Sequence, residues 1–232
     1  MKEAAYCGTR EIYDDMEMSA KSLVANGGID KVHFIIEDSE FPRPLPEIVE
    51  CHDLSGQTFF KPDGPNMKSK YTYMAMMRIA LCKVLDADKV LSLDADTIVR
   101  GDLGEIWEWQ IDDCYFSACP EWHRSENGLD YCNFGVVFYN LEKMRDGKAD
   151  ECIDVLNRKW FPWVEQDVGS YLCQGRIHKM PYTYNACYWT NKDGTRGKIT
   201  HYAGVPRDKW ARRMLPRKYS EMSWDEAMEL HG

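Results

Sequence analysis

Between Lys89 and Val99 a largely apolar run, Val90 to Leu93, stops abruptly at two carboxylates, Asp94 and Asp96, separated only by Ala95. The pattern reads as a buried strand that delivers two oxygen ligands to its carboxyl edge. In α/β sheets that edge opens on the crevice where ligands bind. Paired acids there point to a divalent cation and, through it, to an anionic substrate. An Asp-x-Asp on its own equally fits a turn or a helix cap, because Asp is favourable in both. The rest of the chain has to decide.

Around the motif, short apolar strands alternate with helical segments. Residues 4–9 and 32–36 read as strands, joined by a helix over 14–25 that stops at Asn26-Gly27-Gly28, which makes a βαβ opening. The segments 40–46 and 61–66 are proline-punctuated loops, too short to link domains. The spacing predicts a helix over 70–85 feeding the motif strand, and further strands over 115–119 and 135–139. Alternation of this kind implies an α/β fold with a Rossmann-like, mostly parallel central sheet flanked by helices on both faces. One domain over 1–232 is expected, with a helical C-terminal tail from about 207 to 232.

With 232 residues and 44% hydrophobic content the chain can bury a full core. Neither a run of ~18 apolar residues nor a signal-peptide pattern is visible, so a soluble, cytoplasmic protein is expected. Nine cysteines at scattered spacings, without a Cys-x-x-Cys pair, argue against a disulfide framework or a cysteine-based zinc site. A net charge of -9 disfavours nucleic acid as a partner.

Further residues stand out by chemistry. Arg78 falls on an otherwise apolar helical stripe with Tyr71, Met74, Cys82 and Leu85, so its charge needs a partner, either a structural acid or a phosphate. Asn133 and Gly135 open an apolar strand that ends at Asn140. Glu165, Gln166 and Asp167 start a helix, where acids are ordinary. His201 ends a short strand and is followed by Gly204, Arg207, Lys209 and Trp210. An imidazole joining two carboxylates is a metal-ligand set.

Taken in order, Leu93-Asp94-Ala95-Asp96, Asn133-x-Gly135, Glu165-Gln166-Asp167 and His201-Tyr202-Ala203-Gly204 resemble family 8 glycosyltransferases. The resemblance runs from the first strand to about Trp210. It implies a GT-A fold and transfer of a hexose, glucose or galactose, from a UDP-sugar with retention of configuration. Manganese, or magnesium, would then be held by Asp94, Asp96 and His201. The donor would be lined by Ala95, Arg78 and Gly204, with Arg207 or Lys209 closing on its diphosphate. Thr9 and Tyr13 would take the uracil, Tyr13 by stacking, while Asn133, Glu165 and Gln166 would face the sugar. Gln166 matches the residue nearest the anomeric centre, as expected for front-face substitution; double displacement would need Glu165 as nucleophile. Two departures, Phe134 and Glu165 where the family commonly has a small residue and Asp, fall at the expected sugar pocket. The acceptor could be a saccharide, a lipid-linked sugar or a protein. The basic tail with Arg212, Arg213, Met214 and Lys218 reads as a terminal helix in preference to a peripheral membrane anchor. A haloacid dehalogenase-like phosphatase using Asp94 as nucleophile, and a non-catalytic UDP-sugar-binding protein, are the alternatives.

Overall fold

The computed structural model describes residues 1–125, 129–210 and 213–231. Nine strands are described: β1 (Glu3–Gly8), β2 (Lys31–Ile36), β3 (Val49–Asp53), β4 (Lys89–Leu93), β5 (Thr97–Val99), β6 (Phe116–Pro120), β7 (Cys132–Asn140), β8 (Ile177–Lys179) and β9 (Ile199–His201). The helices are α1 (Tyr13–Asn26), α2 (Tyr73–Met77), α3 (Leu141–Lys143), α4 (Ala149–Arg158), α5 (Val164–Leu172), α6 (Arg207–Trp210), α7 (Met214–Glu221) and α8 (Trp224–Glu229). As the sequence predicts, α1 stops at the glycine pair: Gly27 donates to the Leu23 carbonyl at 2.7 Å, and Gly28 turns the chain out at φ +63°.

Seven strands form one sheet in the order β3-β2-β1-β4-β7-β6-β8. Only β7 runs against its neighbours; every other pairing is parallel. From β1 the chain winds outward to β2 and β3, and β4 then returns to the other side of β1. That reversal is the switch point at which such sheets open a crevice. Alternate residues feed two cores. Tyr6, Phe34 and Ile36 meet Leu23 and Val24 of α1 on one face. On the other, Ala5, Ile35 and Val137 meet Met77, Leu156 and Val168 of α2, α4 and α5. All nine residues of β7 are buried, the mark of an interior strand covered on both faces.

The structure departs from the sequence reading in three elements. The helix expected over 70–85 is shorter and broken: Thr72 is extended at ψ 157°, α2 follows, and residues 78–83 wind as a 3₁₀ helix. Met76, Met77, Ile79, Ala80 and Leu81 are all buried, so this segment is packed on several sides and its winding is set by its neighbours, not by one stripe. β3 and β8 were not anticipated, because short strands such as Glu50-Cys51-His52-Asp53 at a sheet edge carry no apolar run.

At the C-terminal end α7 and α8 pack on α1. Asn26 donates to the Tyr219 hydroxyl at 2.8 Å, and Ser223 and Glu226 form a capping box that starts α8. Arg212 lies outside the described residues. Among the described residues no helix is long and apolar enough to cross a membrane.

Candidate functional site

Asp94 follows the last residue of β4 directly, beside the end of β1, so the turn 94–96 opens at the switch point. The turn is fixed by its own backbone: Thr97 Oγ1 donates to the Asp94 carbonyl at 2.8 Å and Tyr202 N to the Asp96 carbonyl at 2.9 Å. The second contact belongs to a small antiparallel sheet in which β5 pairs with β9, placing Thr97 opposite His201. This pairing delivers a histidine from over a hundred residues away onto the two acids. His201 Nε2 lies 3.2 Å from Asp96 Oδ1 and 3.6 Å from Asp94 Oδ2. One donor atom from each of the three falls within 4.8 Å of the others.

Neighbouring residues hold the imidazole in place. Its Nδ1 lies 2.8 Å from Asn185 Oδ1, and Asn185 Nδ2 donates to Asn133 Oδ1 at 2.9 Å. A histidine ligand oriented through its other ring nitrogen is a recurrent feature of metal sites. Gly135 makes room for the ring: a Cβ there would sit 1.9 Å from His201 Cε1. Burial works against a charged His201, but the Asp96 carboxylate and Cys187 together outweigh it and raise the imidazole well above its usual range. Burial pushes Asp96 up, but His201, joined by its own backbone and Arg78, holds it below its ordinary range; Asp94 is raised by burial and by Asp96, against Arg78. Two carboxylates and an imidazole suit manganese or magnesium-like cations, and the acids keep 40% and 30% of their side-chain surface open to the cleft.

Arg78 sits beneath this cluster and not on the cleft wall. It is 3% exposed; Nε donates to Ser92 Oγ at 3.1 Å, one terminal nitrogen to Asp94 Oδ1 at 2.5 Å and the other to the Phe134 carbonyl. The partner its charge required in this structure is therefore Asp94. Glu165 lies 3.9 Å from the same guanidinium with Oε2 buried and unpartnered. Burial pushes its carboxyl up to about 7, opposed by Arg78. The residue before it, Val164, starts α5 at φ +31°, a strained conformation for a β-branched residue that turns the helix start into the cleft. Asp167 does ordinary structural duty, accepting from Trp163 N at 2.9 Å and Tyr131 Oη at 2.6 Å.

The cleft has a volume of about 340 Å³. Of the residues singled out from sequence, Asp94, Asp96, Asn133, Phe134, Gly135, Glu165, Gln166, His201 and Gly204 line it. Gly204 is at φ +72°, where a side chain would be strained. Buried Glu121 organises two amides of the group, accepting from Asn133 Nδ2 at 3.0 Å and Gln166 Nε2 at 3.3 Å. Gln166 Oε1 in turn accepts from Phe134 N at 3.0 Å.

Others fall outside the cleft. Tyr13 is 2% exposed, its ring 5.0 Å from Phe41 and its hydroxyl donating to Asp38 at 3.0 Å, so here it packs the first helix. Thr9 is buried and Ala95 packs against the core. Arg207 pairs with Asp15 at 3.1 Å, and Lys209 is exposed away from the cleft lining. Phe134 does line the cleft, but its ring packs into the core, 5.2 Å from the Phe116 ring and against Gly169.

Sequence reasoning missed the walls: Lys70, Tyr71, Glu121, His123, Arg124, Trp163 and Trp189. Lys70 lies 4.0 Å above the Trp163 ring and Arg124 4.8 Å from it. The one signal for them was the charged and aromatic run Glu121-Trp122-His123-Arg124 directly after a strand. The phosphatase alternative also loses its topology, since its nucleophile belongs on a first strand and Asp94 follows the fourth.

Comparison with known proteins agrees with this geometry. The family model for glycosyl transferase family 8 matches residues 31–211. A putative glycosyltransferase of Haemophilus influenzae is 24% identical over 214 residues, covering 78% of this chain and 64% of that protein. The lipopolysaccharide 1,2-glucosyltransferase of Escherichia coli is 27% identical over 156 residues, covering 55% of this chain and 46% of its own length. The chain thus spans less than two thirds of either relative. The glycosyltransferase GlyE of Streptococcus pneumoniae superposes with a TM-score of 0.74 at 19% identity, over 98% of this chain and 62% of that one. The galactosyltransferase LgtC, solved with donor and acceptor sugar analogs, superposes at 0.64 and 18% identity, over 99% and 96%. These likenesses show the fold, which is the GT-A arrangement.

Proposed function

The chain belongs to glycosyl transferase family 8, and from that premise we propose that it transfers a hexose, glucose or galactose, from a UDP-sugar to a saccharide, lipid-linked or protein acceptor with retention of configuration. The observation that carries the proposal is the open Asp94–Asp96–His201 cluster at the floor of a cleft at the sheet's switch point. Manganese or magnesium held by these three residues would neutralise the charge that grows on the departing diphosphate. Arg78 acts by fixing Asp94, and Asn185 by fixing His201. Gly204 lets the backbone approach the diphosphate closely. The Glu121 carboxylate sets the amides of Asn133 and Gln166 toward the sugar.

Front-face substitution fits these residues better than double displacement. In it the sugar–phosphate bond breaks while the acceptor oxygen bonds to the same face, and the leaving phosphate takes the acceptor proton. No protein nucleophile is required. Glu165, the one carboxylate that could serve, is buried and pushed up to about 7, which weakens it as a nucleophile. Mass spectrometry of protein quenched with donor should find no glycosyl adduct on Glu165; an adduct would overturn the front-face reading.

A cytoplasmic location belongs to the same proposal, supported by the nucleotide-sugar donor it requires. The test of the donor site is calorimetric titration of UDP with manganese, then with chelator, on the wild type and on Asp96→Asn. We expect binding that depends on manganese and is lost in the variant. A folded protein that binds no UDP would overturn the transferase reading.

A further inference from the structure

A second cluster of metal-ligating side chains lies on the far edge of the sheet, outside the cleft. Parallel pairing of β2 and β3 sets His33 opposite Glu50 and Ile35 opposite His52, so all three polar side chains project from one face of the pair. Their donor atoms lie within 4.8 Å of one another. His33 Nδ1 is 3.0 Å from His52 Nε2, and Glu50 Oε1 is 3.8 Å from the same Nε2. Donors ~2.0–2.1 Å from a tetrahedral zinc ion stand about 3.3 Å apart, a spacing that these two distances bracket.

The surroundings prepare the donors one by one. Glu3 on β1 places Oε2 2.8 Å from His33 Nε2. A carboxylate accepts only, so that nitrogen carries the proton and Nδ1 presents its lone pair to the cluster. A carboxylate behind a ligating imidazole is the usual second partner in zinc sites, fixing tautomer and ring orientation. His52 turns Nε2 toward the same point as His33 Nδ1 and Glu50 Oε1. Lys31 engages Oε2 of Glu50, leaving Oε1 as the monodentate donor. His33 is nearly closed off at 4% side-chain exposure while Glu50 keeps 46%, so the fourth position faces solvent.

We propose that His33, His52 and Glu50 form a binding site for a zinc-like divalent cation, held from behind by Glu3, that ties the edge strand β3 to β2. Two imidazoles and one carboxylate favour zinc over manganese, the reverse of the preference in the cleft. The cation's place is structural: β3 has a neighbour on one side only and follows a proline-rich loop, and a bound ion would pin it.

The test uses zinc and cobalt as probes on the full chain. In an Asp94→Asn/Asp96→Asn background, which disables the cleft site, one zinc equivalent should bind and raise the melting temperature. Adding His52→Ala should abolish both effects, and adding Glu50→Gln should weaken binding at least about tenfold. Both residues are on an edge strand and partly exposed, so loss of binding with a retained fold is readable. Bound cobalt should show visible bands of a nitrogen and oxygen site. His52→Ala alone should leave manganese-dependent UDP binding unchanged, which separates this site from the donor cleft. No zinc uptake, uptake indifferent to His52→Ala, or thiolate-to-cobalt charge-transfer bands would each overturn the assignment.

Discussion

Glu165 is buried with one oxygen unpartnered, and its carboxyl sits at about 7, far above the ordinary carboxylate range; burial is the main cause, Asp94 adds to it and Arg78 opposes. Between the unfolded value near ~4.5 and about 7 the native state therefore holds a proton that the unfolded chain has released. Stability contributed by the protonated form is full below that window and is lost as pH rises through it. Glu165→Gln removes the dependence. By urea unfolding the variant should gain on the wild type by on the order of 1–3 kcal/mol more at about pH 8 than at about pH 5, and an equal difference at both would refute this. At the same scale, metal-ligand chemistry made Asp94, Asp96 and His201 legible as a set, since few residue types can hold a cation. Arg78 was legible as a charge in need of a partner. Which partner it took was not, because Asp94 and Glu165 reach it only in the folded chain.

Elements, not single residues, build the cleft walls, and they are joined by polar ties that local sequence does not announce. Asn66 is the clearest case. It is 1% exposed, donates to the Leu156 and Lys159 carbonyls at 2.6 and 2.7 Å, and accepts from Phe161 N at 2.9 Å. One side chain thus joins the loop leading to Lys70 and Tyr71 to the segment leading to Trp163. Asn66→Ala should cost about 2–4 kcal/mol, because two buried backbone groups and one part-buried carbonyl lose their partner. It should also weaken UDP binding as the two walls loosen, read by urea unfolding and by calorimetry; wild-type values in both would rule the tie out. Sequence periodicity found β1, β2, β4 and α1, whose faces are amphipathic or fully apolar. It failed where packing from several sides replaced a single stripe, as over 73–83, and at the edge strand β3, where polar side chains alternate outward.

For the whole molecule the alternation of strands and helices was enough to imply a mostly parallel sheet, and the switch between β1 and β4 then puts the Asp94 turn in a crevice. One antiparallel strand, β7, crosses that arrangement and brings Asn133 and Gly135 against the Asp94–Asp96–His201 cluster. By itself the sequence determined the fold class, the edge of the sheet at which the acids emerge, and the donor chemistry of Asp94, Asp96 and His201, because side-chain period and side-chain type are local properties. Only the tertiary structure decided that β5 and β9 pair to carry His201 onto Asp96, that Arg78 backs Asp94 from below, that Tyr13 and Arg207 turn to Asp38 and Asp15, and that two histidines and two glutamates on three strands converge. A partner lying dozens of residues away is chosen by burial and by competition among all groups within reach, and neither quantity exists until the chain has folded.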